Sequence, residues 1–302
     1  MSIGSNHMRA VVVREAGGPE VLRLEEVPVP QPAEGQLLVR VEAAGVNHLD
    51  LTQRAGAAGP PPPILGYDAA GRREDTGERV LVTNTPGTYA ELVAAPKEAV
   101  FAIPDSLDAV AAAALGTPYT TAWWAIVDMG GLEAGDTLLV QGAGTATGQA
   151  SVDIGRALGA TVYATARPDN LDKVRRLGAE PLAYGDPKVR QLEAGVVFDP
   201  IGAETFSDSV EALAQEGTLV TPGAVGDPTV SFNLWTLMGR RARIQGIGPH
   251  PVSRETMERL ISLAGEGKLS PVIDRELPLE RAADAHRAIE GRETFGKVIL
   301  RP

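Results

Sequence analysis

Between residues 137 and 167 the sequence gathers groups that could hold a phosphate anion. The stretch Gln-Gly-Ala-Gly-Thr-Ala-Thr-Gly (141–148) follows a short apolar run and precedes an apolar-periodic segment. Gly142 and Gly144 let the backbone turn tightly and approach a pyrophosphate, and Gly148 lets the next helix pack close to the strand. A helix starting near Thr147 would aim its N–H groups and positive dipole end at that anion. A second apolar run, 161–165, ends without Asp or Glu and continues into Ala166 and Arg167. A carboxylate there would bind the ribose 2′-hydroxyl of NAD, whereas a small residue followed by Arg accommodates a 2′-phosphate. The expected cofactor is therefore NADP(H). The glycine spacing is one residue longer than G-x-G-x-x-G, and the bland alternative is a glycine-rich turn in another doubly wound protein.

The elements around this turn must position it. Residues 1–105 read as β-rich. Short apolar or alternating runs lie at 9–14, 22–27, 36–42, 79–83, 89–94 and 100–103, separated by Gly and Pro clusters such as 27–35 and 59–63. At 105–114 the pattern changes to a helix capped by Asp105 or Ser106. From 137 to 246 strands and helices alternate, with strands at 138–141, 161–165, 196–199, 218–221 and 243–246 and helices including 171–177 and 204–214. That order predicts a parallel sheet covered on both faces. An amphipathic helix at 253–266, a second at 280–290 and a strand at 297–300 complete the pattern.

Bulk properties exclude several classes. The chain has 302 residues, no cysteine and a dispersed net charge of −11. Such a charge disfavours nucleic acid and anionic membranes as partners. Without cysteine there is no disulfide, thiolate metal site or thiol nucleophile. No apolar run has membrane-spanning length and no signal peptide precedes Met8, so a cytoplasmic setting is expected. Residues 1–7 read as a tag remnant outside the fold.

Several phrases, in this order, resemble the zinc-independent quinone oxidoreductases of the medium-chain dehydrogenase/reductase superfamily. They are Gly-Gly-Pro-Glu-Val-Leu (17–22), Val-Glu-Ala-Ala-Gly-Val-Asn-His-Leu-Asp (41–50), Ile-Leu-Gly-Tyr-Asp-Ala-Ala-Gly (64–71), Gly-Thr-Tyr-Ala-Glu-Leu-Val (87–93), Thr-Ala-Trp (121–123) and Gly-Lys-Val-Ile-Leu (296–300). The resemblance implies a Rossmann doubly wound parallel sheet plus a GroES-like β-barrel catalytic domain, with the active site in a cleft between them. The expected divisions are 8–112 for the GroES-like domain, 113–247 for the Rossmann domain and 248–302 for a return to the catalytic domain. The spans 71–79 and 188–195 are shorter than in relatives and read as trimmed loops.

Positions that hold the catalytic zinc in zinc-dependent relatives match Asn47, Tyr67 with Asp68, and Thr117. None of these makes a good zinc site, and His48 and His250 stand far apart in sequence, so no metal is expected. Quinones and activated alkenes are electron-poor enough to accept hydride without a Lewis acid, given orientation and donors to the developing oxyanion. Asn47 and Tyr67 are the candidate catalytic donors. The competing reading has Asn47 fixing a backbone turn and Tyr67 packing under the prolines. Asp50, Asp68 and Tyr89 match family positions with a structural part. For the cofactor, the resemblance implicates Gly142, Ala143, Thr145, Ala146, Thr147 and Gly148 in the phosphate turn. It places Thr121 near the nicotinamide and Arg167, Lys173 and Tyr184 around the 2′-phosphate. Gly223 and Gly246 close two later strands at the carboxyl edge of the sheet. The bland reading of Lys173 and Arg175 is a solvated helix face.

The leading expectation is an NADPH-dependent reductase of quinones or α,β-unsaturated carbonyls. The alternatives are an acyl-thioester enoyl reductase, disfavoured because 53–59 lacks a tyrosine, and an NADPH-binding structural or sensor protein. The partners expected are a small quinone or enone and a second copy of the chain. Residues 243–246 read as an edge strand, and members of the family commonly join such edges in a homodimer. Against it stands a monomer whose edge is blunted by Arg240, Arg241 and Arg243.

Overall fold

The computed structural model describes residues 6–57, 59–248 and 253–302. It contains two compact units, 1–117 with 253–302, and 118–252. The first unit ends at Thr117 and resumes at Ser253, whereas the sequence reading drew its divisions at 112 and 247.

The first unit is built on strands. They are β1 (His7–Val12), β2 (Arg23–Pro28), β3 (Gln36–Gly45), β4 (Asp68–Arg73), β5 (Arg79–Val82), β6 (Leu92–Pro96) and β7 (Val100–Ala102). Helix α1 (His48–Arg54) lies between β3 and β4. The long strand β3 is the hub. It pairs antiparallel with β4, β6 and β15 (Lys297–Arg301), and β14 (Ile273–Pro278) lies parallel to β15 at the far side. Val39 and Val41 point inward along β3 and, past a bulge, so does Ala44; they share one buried cluster with Leu65, Val80, Val82, Tyr89 and Val298. Each buried Val or Leu contributes roughly 1.5–3 kcal/mol by leaving water. Helices α7 (Arg254–Gly265) and α8 (Ala282–Glu290) come from the returning segment, with Ser253 capping α7 through its hydroxyl.

Helix α2 (Ala109–Trp123) begins where Asp108 accepts the Ala111 N–H at 2.8 Å. Asp108 therefore caps it, in place of Asp105 or Ser106. The helix is broken at Gly116 (φ −42°, ψ −115°) ahead of Pro118.

The second unit holds β8 (Thr137–Val140), α3 (Ala146–Ala157), β9 (Thr161–Ala166), α4 (Leu171–Arg176), β10 (Glu180–Ala183), β11 (Ala194–Phe198), α5 (Ala203–Glu211), β12 (Leu213–Thr221), α6 (Leu234–Arg240) and β13 (Arg243–Gly246). Its six strands are parallel in the order β10-β9-β8-β11-β12-β13. The order reverses beside β8, the switch point at which open α/β sheets take their ligands. Central strands β8 and β11 are continuous apolar runs because both their faces are covered. The sequence reading did not include β4, β10, β14, α1 or α6. His7, read as the last residue of the leading remnant, is the first residue of β1 and pairs with Pro28.

Candidate active site

The carboxyl edge of the six-stranded sheet gathers the residues expected to hold a dinucleotide. Gly142 follows β8, Ala166 ends β9, Tyr184 follows β10, Gly223 follows β12 and Gly246 ends β13. Gly142 adopts φ +74°, and a Cβ there would lie 2.7 Å from Ile201 Cδ1 and 3.6 Å from the Tyr184 hydroxyl. At Gly148 a Cβ would meet the Gly142 carbonyl at 2.3 Å, so the turn closes on itself only with glycine. The contact that seats α3 on the sheet is at Gly155 instead, where a Cβ would meet Leu138 at 2.7 Å and Val162 at 3.0 Å. The sequence reading missed Gly155, which sits inside a helix pattern with no turn signal.

Helix α3 starts at Ala146, with Thr145 as its cap. The Thr145 hydroxyl accepts from Gly148 N at 3.0 Å and donates to the Gly142 carbonyl at 3.0 Å. The N–H groups of Gly142 and Ala143 are spent inside the fold, on the Thr165 side chain and carbonyl. Among the described residues no acceptor within the chain meets the N–H groups of Gly144, Ala146 and Thr147. Three unsatisfied donors at the start of a twelve-residue helix make a cradle for a pyrophosphate. The group fits the residues present. Arg167 and Lys173 are exposed beside the end of β9, and Tyr184 is 40% exposed after β10. Arg175 is engaged with Asp172 at 2.5 Å. Thr121 is half-buried in the last turn of α2.

The first unit holds a buried polar cluster around Asp68. The carboxylate accepts from Thr83 Oγ1 at 2.8 Å, Thr117 N and Oγ1 at 3.0 Å, and Asn47 Nδ2 at 2.8 Å. The Lys297 ammonium lies 3.6 Å from it and donates to Asn47 Oδ1 at 2.5 Å. Burial pushes the Lys297 ammonium down from its ordinary value, against the pull of Asp68 and Asp50. Gly45 and Gly116 make room for the pair, since a Cβ would meet Lys297 Cε at 2.7 Å or Asp68 Oδ1 at 2.2 Å.

This packing bears on both readings of Asn47. Its amide is held at both ends and its N–H donates to Asp50 Oδ2 at 2.8 Å, which fixes the start of α1. Among the described residues its side-chain amide donates to Asp68 and, at 3.5 Å, to the Gly45 carbonyl. Tyr67 differs. It is half-buried, its hydroxyl accepts from Gln53 Nε2 at 2.8 Å, and among the described residues nothing accepts its proton. The neighbouring Gln53 Oε1 is buried without a donor.

A zinc ion does not fit here. Asn, Tyr and Thr are poor zinc ligands, and the one carboxylate already takes four hydrogen bonds. The adjacent Lys297 ammonium would repel a dication. Among the described residues no group of three His, Asp or Glu side chains could hold a metal. His48 is exposed, and His250 lies outside the described residues.

Behind α1 a second chain runs from Asp50 Oδ2 to the Tyr89 hydroxyl at 2.8 Å and on to His286 Nε2 at 3.3 Å. His286 Nδ1 faces Arg54 Nη1 at 3.3 Å, and Arg54 Nη2 pairs with Glu290 at 2.5 Å. Arginine can only donate, so Nδ1 accepts and Nε2 carries the imidazole proton. Burial pushes the Asp50 carboxyl up to about 7 and the His286 imidazole down to about 3.

Comparison with known proteins agrees with this layout. The family described as alcohol dehydrogenase GroES-like domain matches residues 33–105, and that described as zinc-binding dehydrogenase matches 177–300. A quinone oxidoreductase of Mus musculus is 31% identical over 331 residues, covering 99% of both chains. The crystal structure of an NAD-dependent alcohol dehydrogenase has a TM-score of 0.91 at 33% identity, covering 98% of this chain and 100% of that one. A mycobacterial protein solved in complex with NADPH has a TM-score of 0.88 at 28% identity, with coverage of 98% and 100%.

Proposed function

Because this chain belongs to the medium-chain dehydrogenase/reductase superfamily, as a quinone oxidoreductase-like oxidoreductase, we propose that it reduces quinones or α,β-unsaturated carbonyls with NADPH and without zinc. The observation that carries the reading is the phosphate cradle beside β8 with Ala166 and Arg167 at the end of β9. NADPH supplies a hydride from its nicotinamide ring. Gly144, Ala146 and Thr147 would hold the pyrophosphate, and Arg167, Lys173 and Tyr184 the 2′-phosphate. Thr121, Gly223 and Gly246 would flank the rest of the cofactor. One solved neighbour is described as NAD-dependent, so the preference proposed here rests on this chain's own Ala166 and Arg167.

On the substrate side, Tyr67 donates its phenolic hydrogen bond to the oxygen on which charge develops. Hydride addition to a quinone leaves an anion that needs one proton to become the hydroquinone, and an O–H donor lowers that barrier. Asn47, Asp68 and Lys297 hold the wall on which Tyr67 sits, since Tyr67 and Asp68 are adjacent in the chain. The reading includes a cytoplasmic setting and a homodimer.

The dimer draws on the sheet edge. Among the described residues strand β13 pairs with β12 on one side only. Helix α6 leaves Leu234, Trp235 and Met238 exposed, Trp235 by 77%. The arginines that could blunt the edge are tied back to the end of α5 and to β12. Arg240 bonds the Glu211 and Leu213 carbonyls, Arg241 pairs with Glu216 at 2.6 Å and Arg243 donates to Thr218 at 3.3 Å. A second copy, pairing edge to edge about a two-fold axis, would cover both features.

The test is steady-state reduction of 1,4-benzoquinone and a simple enone with NADPH and NADH. Turnover with NADPH, and an Arg167→Ala variant that loses about 1–3 kcal/mol of NADPH affinity with NADH nearly unchanged, supports the reading. Equal affinity of the unmodified protein for both cofactors sinks the NADPH preference, and binding without turnover favours a sensor.

A further inference from the structure

Beneath the phosphate turn a single file of buried side chains crosses three strands. Gly142 N donates to Thr165 Oγ1 at 3.2 Å, and Thr165 Oγ1 donates to Gln141 Oε1 at 2.6 Å. Gln141 Nε2 donates to Ser209 Oγ at 3.0 Å, and Ser209 Oγ donates to Asp199 Oδ2 at 2.7 Å. Asp199 Oδ1 accepts from Ile201 N and Thr205 Oγ1, both at 2.9 Å. Gln141 and Thr165 are 1% exposed and Ser209 and Asp199 fully buried.

The file has one consistent direction. A backbone N–H at Gly142 can only donate, so the Thr165 oxygen accepts there and its one proton goes to Gln141. That fixes the amide of Gln141 with Oε1 toward Thr165 and Nε2 toward Ser209. Asp199 closes the file as acceptor. Burial pushes its carboxyl up, and the donors from Ser209, Ile201 and Thr205 pull it back. Bonds aligned head to tail polarise one another, and a broken link leaves buried groups unpaired. One end of the file is the residue whose φ of +74° sets the turn, and the other is the loop whose Ile201 side chain packs over that residue.

We propose that Gln141 is a positioning residue for the dinucleotide: through Thr165 it locks the Gly142 peptide, and so the direction of the free N–H groups of Gly144, Ala146 and Thr147. This rests on the cofactor reading above. Gln141 touches no part of the ligand itself. Its effect falls on the pyrophosphate, which NADPH and NADH share, and not on the 2′-phosphate.

The experiment is calorimetric titration of the full chain with NADPH and with NADH, for wild type, Q141L, T165V, T165S and S209A. KM for NADPH, kcat and thermal midpoints without dinucleotide are measured in parallel. Q141L and T165V are expected to raise both dissociation constants by the same factor, about tenfold, the scale of one lost hydrogen bond. The NADPH preference then stays, KM for NADPH rises and kcat at saturation holds. T165S, which keeps the hydroxyl, returns binding to within about twofold of wild type on the same scale. If Q141L does not fold, S209A, one link further from the turn, must raise both constants in the same proportion. A lowered thermal midpoint with unchanged dissociation constants overturns the inference, as does a loss confined to NADPH. A wild-type protein that binds neither dinucleotide overturns the cofactor reading and the inference with it.

Discussion

Removing Lys297 and removing Asp68 should not cost the same, although they form one buried pair. Lys297→Met takes away an ammonium that is 3% exposed and fills its stem volume with an apolar chain. Asp68 then keeps four hydrogen-bond donors from Asn47, Thr83 and Thr117. Asn47 Oδ1 loses its only partner within hydrogen-bond distance among the described residues. Breaking a buried pair costs about 3–5 kcal/mol, and the surviving donors put this variant near the lower limit, about 3 kcal/mol. Asp68→Leu strands those donors together with the Lys297 charge. Its cost should reach the upper limit, about 5 kcal/mol or more. For a unit of this size, a loss of about 3 kcal/mol lowers the thermal midpoint by roughly 6–12 °C. Calorimetric unfolding and urea titration of both variants measure the difference. If Lys297→Met unfolds within about 1 kcal/mol of wild type, or Asp68→Leu is the milder variant, the cluster is not organised around Asp68.

Stability against pH should show two opposed slopes. The folded chain holds the Asp50 proton up to about pH 7, whereas the ordinary carboxyl value is 3.8, so this group makes stability fall as pH rises through that window. His286 stays neutral down to about pH 3 against an ordinary 6.5, so stability on its account rises with pH between them. Near pH 5 the two nearly cancel; Asp50→Asn should unmask a rise of about 1.4 kcal/mol per pH unit, and a flat profile in that variant refutes the pairing. Tyr67→Phe should lower kcat by about 10- to 100-fold with NADPH affinity unchanged, and full activity would remove the hydroxyl from the chemistry. Light scattering should give twice the chain mass of 31.6 kDa, with Trp235→Glu or Ile244→Pro shifting it to monomer; a monomeric wild type rules the dimer out. Prolonged dialysis against a chelator should leave quinone reduction intact, whereas loss restored by zinc would overturn the metal-free reading.

What was legible in the sequence was local. The phosphate turn announces itself because glycines at 142 and 148 are forced by backbone closeness, and the strand before and helix after have opposite periodicities. Edge strand Arg243–Gly246 was read with the bounds it has. Short strands such as β10 and β14 carry charged or proline residues that hide their pairing, and β4 reads as small residues because its side chains meet a crowded interior. Asn47 and Tyr67 looked alike as uncharged donors. Contacts distant in sequence distinguish them: the Asn47 amide donates to Asp68 and accepts from Lys297, 250 residues away, whereas among the described residues nothing accepts the Tyr67 proton. The Gln141 file was equally hidden, because its four side chains come from β8's end, β9, α5 and the loop after β11.

The interrupted layout of the first unit also governs how the molecule is made. On the ribosome, residues 118–252 form one uninterrupted stretch, and every strand that pairs in their sheet has emerged by Gly246. The β3 hub must wait for residues 297–301 before Ala44 and Gly45 find their partners on β15. Until then Asp68 has no Lys297, and one flank of β3 offers unpaired backbone to whatever passes. A nascent chain therefore carries a finished nucleotide-binding unit while the strand-built unit is still open. The interval before release is its period of greatest exposure to misassembly and to chaperone capture.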